Sequence, residues 1–406
     1  MEEEFHMESP VNQTIPGAKP ATGEKRAISV EAFVFLGVFV LIFGLLSSRM
    51  GLVNLLNTMM NTAFDLLINT VLYIMGIAVL AGALGAMLTE FGVVALINKL
   101  LSPLMGVLYG LPGAASIGIV TTYLSDNPAI LTLADDPSFR RYFKRYQLPA
   151  LTNLGTAFGM GAIISAFMLG LQLLSGGNFG LAVLVGNLGA VFGSIVSTRL
   201  MLRFTRRVYG TDRYCDTPDG VPHADLSKRT VRPGGIGARL LGALTEGGAT
   251  GVKMGVEIIP GVLLICTFVL LLTKGPGEGG LYTGAAYEGV AALPWLGQKL
   301  SFLLKPLFGF TSAEGIAVPI TALGAAGAAI GLVPGLLSSG LAGPQDVAVF
   351  TAMCMCWSGY LSTHVAMMAS LKCSGLTGRA IVCHTIGGLC AGIFAHWVFA
   401  LLSLLV

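Results

Sequence analysis

Two short polar clusters interrupt long apolar runs: Thr121-Thr122-Tyr123-Leu124-Ser125-Asp126-Asn127-Pro128 and Thr311-Ser312-Ala313-Glu314-Gly315. Each contains one carboxylate, Asp126 or Glu314, beside hydroxyl and amide groups. A carboxylate held inside a bilayer costs roughly 2.5–3.5 kcal/mol or more, so its presence there points to a bound cation, proton or solute donor. Either group could instead sit at the interface, where the cost is small, and a hairpin tip carrying Asp126 can reach cytoplasmic water. Two further clusters lie on long apolar stretches. One is Thr152-Asn153-Leu154-Gly155-Thr156, followed by Gly159 and Gly161. The other is Trp357-Ser358-Gly359-Tyr360, followed by Ser362, Thr363 and His364. Glycines there let a helix unwind and expose its carbonyls. The candidate solute- or ion-binding set is therefore Ser125, Asp126, Asn127, Asn153, Thr156, Ser312, Glu314, Ser358, Thr363 and His364. Each hydroxyl also has a structural reading, because Ser and Thr in helices bond their own backbone. His364 is read either as a proton-linked group or solute donor, or as a neutral ring bonded to a carbonyl. Glu314 is expected to pair with a polar group of the 358–364 stretch.

No chemistry of bond cleavage is visible. No nucleophile–base pair, phosphate-binding glycine loop or His-Glu-x-x-His pattern occurs. The seven cysteines show neither disulfide nor zinc spacing. The expectation is a protein that is not an enzyme and holds no cofactor or metal, with Na+ or H+ as its coupling ion.

The elements that must position these clusters are membrane helices. The chain is 54% hydrophobic and 11% charged, against roughly 25% charged in soluble domains. A net charge of +3 argues against a nucleic-acid partner. About 20 apolar residues cross the hydrocarbon core, which predicts full spans at 30–48, 70–88, 148–171, 181–202, 258–272, 347–371 and 381–405. The stretches 114–133 and 316–337 are apolar but broken by proline and polar residues. Residues 1–29, with Pro10, Pro16 and Pro20, read as a disordered tail. Arg140, Arg141, Lys144 and Arg145 form one basic loop, and 203–237 forms a basic linker carrying Arg206, Arg207, Arg213, Lys228, Arg229 and Arg232. The positive-inside rule puts both in the cytoplasm with the N-terminus, and the C-terminus outside. The count closes only if both broken stretches are re-entrant hairpins, with turns near 125–128 and 330–339 that enter from opposite faces.

The halves repeat one another. Leu100-Leu101-Ser102-Pro103-Leu104-Met105-Gly106 resembles Leu303-Leu304-Lys305-Pro306-Leu307-Phe308-Gly309. Each precedes a broken stretch, a polar loop and two long spans. The expected fold is an all-α integral membrane protein, an inverted-topology repeat with two re-entrant helical hairpins and discontinuous transmembrane helices. Its parts are a cytoplasmic tail (1–29), a first repeat (30–202), the linker (203–237) and a second repeat (238–406).

This pattern resembles the nucleoside-recognition or "Gate" domain membrane family. That group includes sporulation-associated membrane proteins and the gate regions of ferrous-iron transporters, and it is distantly similar to concentrative nucleoside transporters. The resemblance implies that Ser125, Asp126 and Asn127 in the first hairpin, Ser312 and Glu314 in the second, and Asn153, Thr156, Ser358 and Thr363 on the spans bind the solute. The first hairpin departs from the transporters in lacking a Gln-Thr-Glu cluster. The function expected is secondary active transport by alternating access in a bacterial inner membrane. The solute would be small and polar, nucleoside-like or a small organic anion, and the chain would sit in the bilayer as a monomer or homo-oligomer. The alternative is a non-transporting assembly protein of the sporulation type on the same fold.

Overall fold

The computed structural model describes residues 27–125, 128–135, 137–171, 179–215 and 228–404. The tail expected at 1–29 lies almost wholly outside them, as do residues 216–227 of the linker. Among the described residues six helices are long and apolar enough to cross a membrane, making this an all-α, multi-pass membrane protein. Helix α1 (Val30–Met50) belongs to a unit of its own that ends at Arg49. Its 21 residues reach about 31 Å at 1.5 Å per residue, enough for a hydrocarbon core of about 30 Å. All the remaining helices belong to the second unit, Met50–Val406.

This unit opens with α2 (Leu52–Glu90), α3 (Val93–Tyr109), α4 (Ala115–Leu124), α5 (Pro128–Asp135) and the single turn α6 (Pro137–Arg140). Then come α7 (Ala150–Thr156), α8 (Gly161–Gly170) and α9 (Gly180–Tyr209). The second half runs α10 (Ile236–Thr273), α11 (Ala292–Lys299), α12 (Ser301–Phe308), α13 (Ala313–Ala322) and α14 (Ala326–Ser338). It ends with α15 (Pro344–Cys356), α16 (Tyr360–Ser370) and α17 (Ser374–Ser403). The order repeats: long helix, proline-bearing helix, hairpin, broken helix, long helix.

The halves are inverted. Helices α2 and α10 touch through Gly82 and Gly247, Ala78 and Gly251, and Met75 and Gly255, so one sequence rises as the other falls. A Cβ on Gly82 would lie 2.5 Å from the Gly247 carbonyl oxygen. The glycines are thus what lets these two backbones meet, as small residues do between membrane helices. Helices α9 and α17 also run antiparallel, with Gly189 against Ala391 and Ala395, and Gly193 against Gly387.

Several expectations are corrected. The span expected at 70–88 is the second half of the 39-residue α2, and that at 258–272 the end of the 38-residue α10. Their polar beginnings keep the helical period: Leu55, Thr58 and Thr62 form one buried face of α2. The span expected at 347–371 is two helices, α15 and α16, because Gly359 takes a left-handed conformation (φ 64°) between them. The span at 148–171 breaks in the same way before α8, at Met160 (φ 57°). The second hairpin turns at Leu323–Ala325, where the Gly324 and Ala325 amides both bond the Thr321 carbonyl, and not at 330–339. Pro334 was the misleading signal, since it lies inside α14, as membrane helices allow. Of the first hairpin's expected turn at 125–128, residues 126–127 lie outside the described residues; α4 ends at Leu124 and α5 begins at Pro128.

Candidate functional site

The two broken helices cross. Helix α7 packs on α16, and α8 packs on α15. The Thr152 hydroxyl meets the Met368 sulfur at 3.5 Å. Both breaks, Ala157–Met160 and Trp357–Gly359, fall at this crossing, between the hairpins and the α9–α17 pair.

A polar cluster is buried there. Asn153 Nδ2 donates to Ser197 Oγ and to the Ala380 carbonyl, both at 2.9 Å. Ser197 Oγ lies 3.1 Å from His384 Nδ1. His384 Nε2 bonds the Cys356 carbonyl, which the break leaves free because the Tyr360 amide bonds Trp357 instead. A carbonyl only accepts, so His384 carries its proton on Nε2, and Ser197 donates to Nδ1. His364 Nδ1 donates to the Tyr360 carbonyl at 2.5 Å. The His364 and His384 ring centres are 4.7 Å apart, and the Tyr360 hydroxyl bonds Thr385. Three buried polar atoms here have no partner among the described residues: Asn153 Oδ1, His364 Nε2 and Trp357 Nε1. Native interiors leave few polar atoms unpaired, so such a group asks for a ligand, an ion or water.

The predicted site residues divide. Asn153, Ser358 and His364 are buried at the crossing. Thr156 is buried too, but its hydroxyl bonds the Thr152 carbonyl of its own helix at 2.7 Å. Thr363 is half-buried on α16, and Ser125 ends α4 with its hydroxyl on the Thr121 carbonyl. Asp126 and Asn127 lie outside the described residues. Ser312 and Glu314 sit at the base of the second hairpin, nine or more residues before its turn, where the Ser312 hydroxyl is buried and unpaired. Among the described residues Glu314 makes no hydrogen bond or ion pair to Ser358, Thr363 or His364.

Sequence reasoning missed several groups. Ser197 and His384 complete the cluster, and both lie on helices that read as plain spans. Asp346 is fully buried and accepts from the Thr311 and Gly343 amides and the Thr311 hydroxyl, which fixes the base of the second hairpin to α15. Glu288, in the loop after α10, is also buried. Burial works against its charge, yet the Thr283 hydroxyl and the Thr283 and Gly284 amides prevail and hold the carboxyl below its ordinary range. This loop lies on the start of α2: Asn54 donates to Tyr282, Asn61 to Gly284, and Tyr287 bonds Asp65. At the other end of α2, Glu90 accepts from Arg239 and Arg232, each at 2.7 Å. Each of these carboxylates stands among polar neighbours that only the fold supplies.

Each hairpin faces the α2–α10 pair across a cavity. The larger, about 680 Å³, lies between α14, the 65–73 segment of α2, the end of α10 and Tyr287, with Asp65, Asn69, Lys274 and Ser339 in its wall. The smaller, about 300 Å³, lies between Thr121 and Ser125 of the first hairpin, the 82–89 segment of α2, and Gly247, Thr250 and Met254 of α10. Helix α8 runs by both, through Phe167 and Gly170 at the larger and Ile163 at the smaller. Their centres are about 25 Å apart along α2 at 1.5 Å per residue.

Inverted repeats, two hairpins and two broken helices crossing at a polar cluster define a class of all-α membrane fold built on discontinuous helices. No family model and no curated protein matches the sequence. Among solved structures, the chain is similar to CNTnw, a concentrative nucleoside transporter, in an inward-facing substrate-bound state. The TM-score is 0.50 at 15% identity, over 90% of this chain and 83% of that one. Variants of CNTnw in an outward-facing state and in an intermediate state each match with a TM-score of 0.51 at 14% identity, over 90% of this chain and 85% of theirs. At such identity the likeness establishes the fold.

Proposed function

We propose that this protein is a secondary transporter that moves a small polar solute across the cytoplasmic membrane by alternating access. The observation that carries this reading is the pair of unequal cavities, one beside each hairpin, at opposite ends of the same two glycine-packed helices. A solute site between them opens to one side when one hairpin parts from α2–α10, and to the other side when its counterpart does. The arginines around Glu90 mark the cytoplasmic end, so the large cavity faces outward and the form described is open to that side. On this reading Asn153, Ser358 and His364 line the path, and Glu314 joins it from the second hairpin as that hairpin moves. The likeness to CNTnw supports a nucleoside-like solute first, and the Lys274 beside the large cavity allows a small organic anion.

The test is thermal unfolding in lipid nanodiscs against a panel of nucleosides, nucleobases and small organic anions. A ligand at about 100 times its dissociation constant stabilises the native state by about 2.7 kcal/mol, a shift of a few degrees for a chain of this size. One responding class is expected. A flat profile across the panel contradicts the proposal.

A further inference from the structure

We propose that His364 Nε2 is a proton-binding site, with His384 as the neutral partner that directs a single proton to it. The two rings stand 4.7 Å apart at the break between α15 and α16, and their hydrogen bonds make them unequal. His384 is committed on both sides, Nε2 donating to the Cys356 carbonyl and Nδ1 accepting from Ser197. A second proton on His384 would have to displace the Ser197 hydroxyl hydrogen. Ser197 is in turn held by Asn153 Nδ2, so its oxygen has one remaining hydrogen to place. His364 uses only Nδ1, toward the Tyr360 carbonyl, and its Nε2 lone pair is buried with no partner among the described residues. One of two adjacent imidazoles is therefore ready to take a proton, and two positive rings at this distance would repel.

Among the described side chains, the surroundings supply acceptors and no counter-charge. Helix α16 itself offers Tyr360, whose hydroxyl is engaged with Thr385. Helix α17 offers His384 and Cys383, with Arg379 set over the Phe204 ring near its start. Helix α15 offers Cys354 and Cys356, and Lys372 follows the end of α16. Helix α7 brings Thr152, Asn153 and Thr156, none of which ionises, and the described side chains of α5 are apolar. Asn153 Oδ1 is the other acceptor left unpaired in the cluster. Among these described side chains no carboxylate faces His364, so a proton there remains a net positive charge. Its binding is favoured when the crossing is hydrated and opposed when it is dry, which ties proton occupancy to which cavity is open. That last step rests on the transport reading; the existence of the site does not.

The experiment is ¹⁵N-histidine NMR of the full chain in nanodiscs. Only five histidines occur, His6, His223, His364, His384 and His396, so single substitutions assign them. Near pH 7.5, His364 is expected as the Nδ1–H tautomer and His384 as Nε2–H. On acidification His364 should take up one proton while His384 keeps its tautomer. His364→Gln should abolish that titration. Should that variant fail to fold, Ser197→Ala serves instead: it frees His384 Nδ1, and the proton should then divide between the rings. A His364 that stays neutral across the whole pH range in which the fold is retained, or a titrating signal that survives His364→Gln, overturns the site. Proton uptake is read without any solute, so a flat solute panel with a titrating His364 would refute transport alone.

Discussion

Replacing Gly251 by Leu should force α2 and α10 apart and lower the melting temperature sharply. A Cβ at this position would overlap the Ala78 carbonyl of α2. The obstacle is backbone, so no side-chain rotation relieves it. Overpacking of a well-filled interface costs typically about 1–3 kcal/mol, and the upper end is expected for this substitution, with loss of the α2–α10 contact. Gly248→Ala is the control. Its Cβ would meet Val79 at 3.5 Å, an ordinary contact, and alanine is favoured over glycine in a helix by about 1 kcal/mol. Melting in detergent should show a large fall for Gly251→Leu and none for Gly248→Ala. Equal melting temperatures would mean that the two helices do not pack as described.

The second large effect is on ligand response. Asn153→Ala removes the donor to both Ser197 and the Ala380 carbonyl, at about 1–3 kcal/mol for each buried group left unpaired. It also removes the unpaired Oδ1. The variant should melt lower and lose the stabilisation that the active class of solute gives the wild type. Thr156→Ala, one turn along, should do little, because that hydroxyl serves its own helix. If Thr156→Ala abolished the solute response while Asn153→Ala kept it, the cluster would be wrongly centred.

Much of this fold was legible because the bilayer leaves few options. Apolar length and basic loops identify membrane helices, and the proline segments at Pro103 and Pro306 align the halves. The full length of α2 and α10 was harder to see, since their buried faces at 52–69 and 236–257 carry Thr58, Thr62, Gly247 and Gly251 beside Leu55 and Met254. The hairpin turn at Leu323–Ala325 was hidden by Pro334, a stronger breaker in water than in a protein-lined membrane helix. Asn153, Ser358 and His364 were singled out because polar residues on apolar spans stand out. Ser197 and His384 were not, because their meaning lies in a contact between residues 187 positions apart. Glu314 drew attention as a carboxylate, whereas the fully buried carboxylate of that region is Asp346, held by amides that no spacing reveals.

The central claim is that the two cavities open in alternation, and it is tested by labelling one while reading the other. A cysteine at Ser339 lies in the wall of the large cavity, and one at Thr121 lies in the wall of the small one. A bulky impermeant maleimide on Ser339→Cys should wedge the outer cavity open. Alternating access predicts that labelling of Thr121→Cys from the cytoplasmic side, present in the unwedged protein, then falls sharply. Labelling of Thr121→Cys at the same rate with and without the wedge would contradict it.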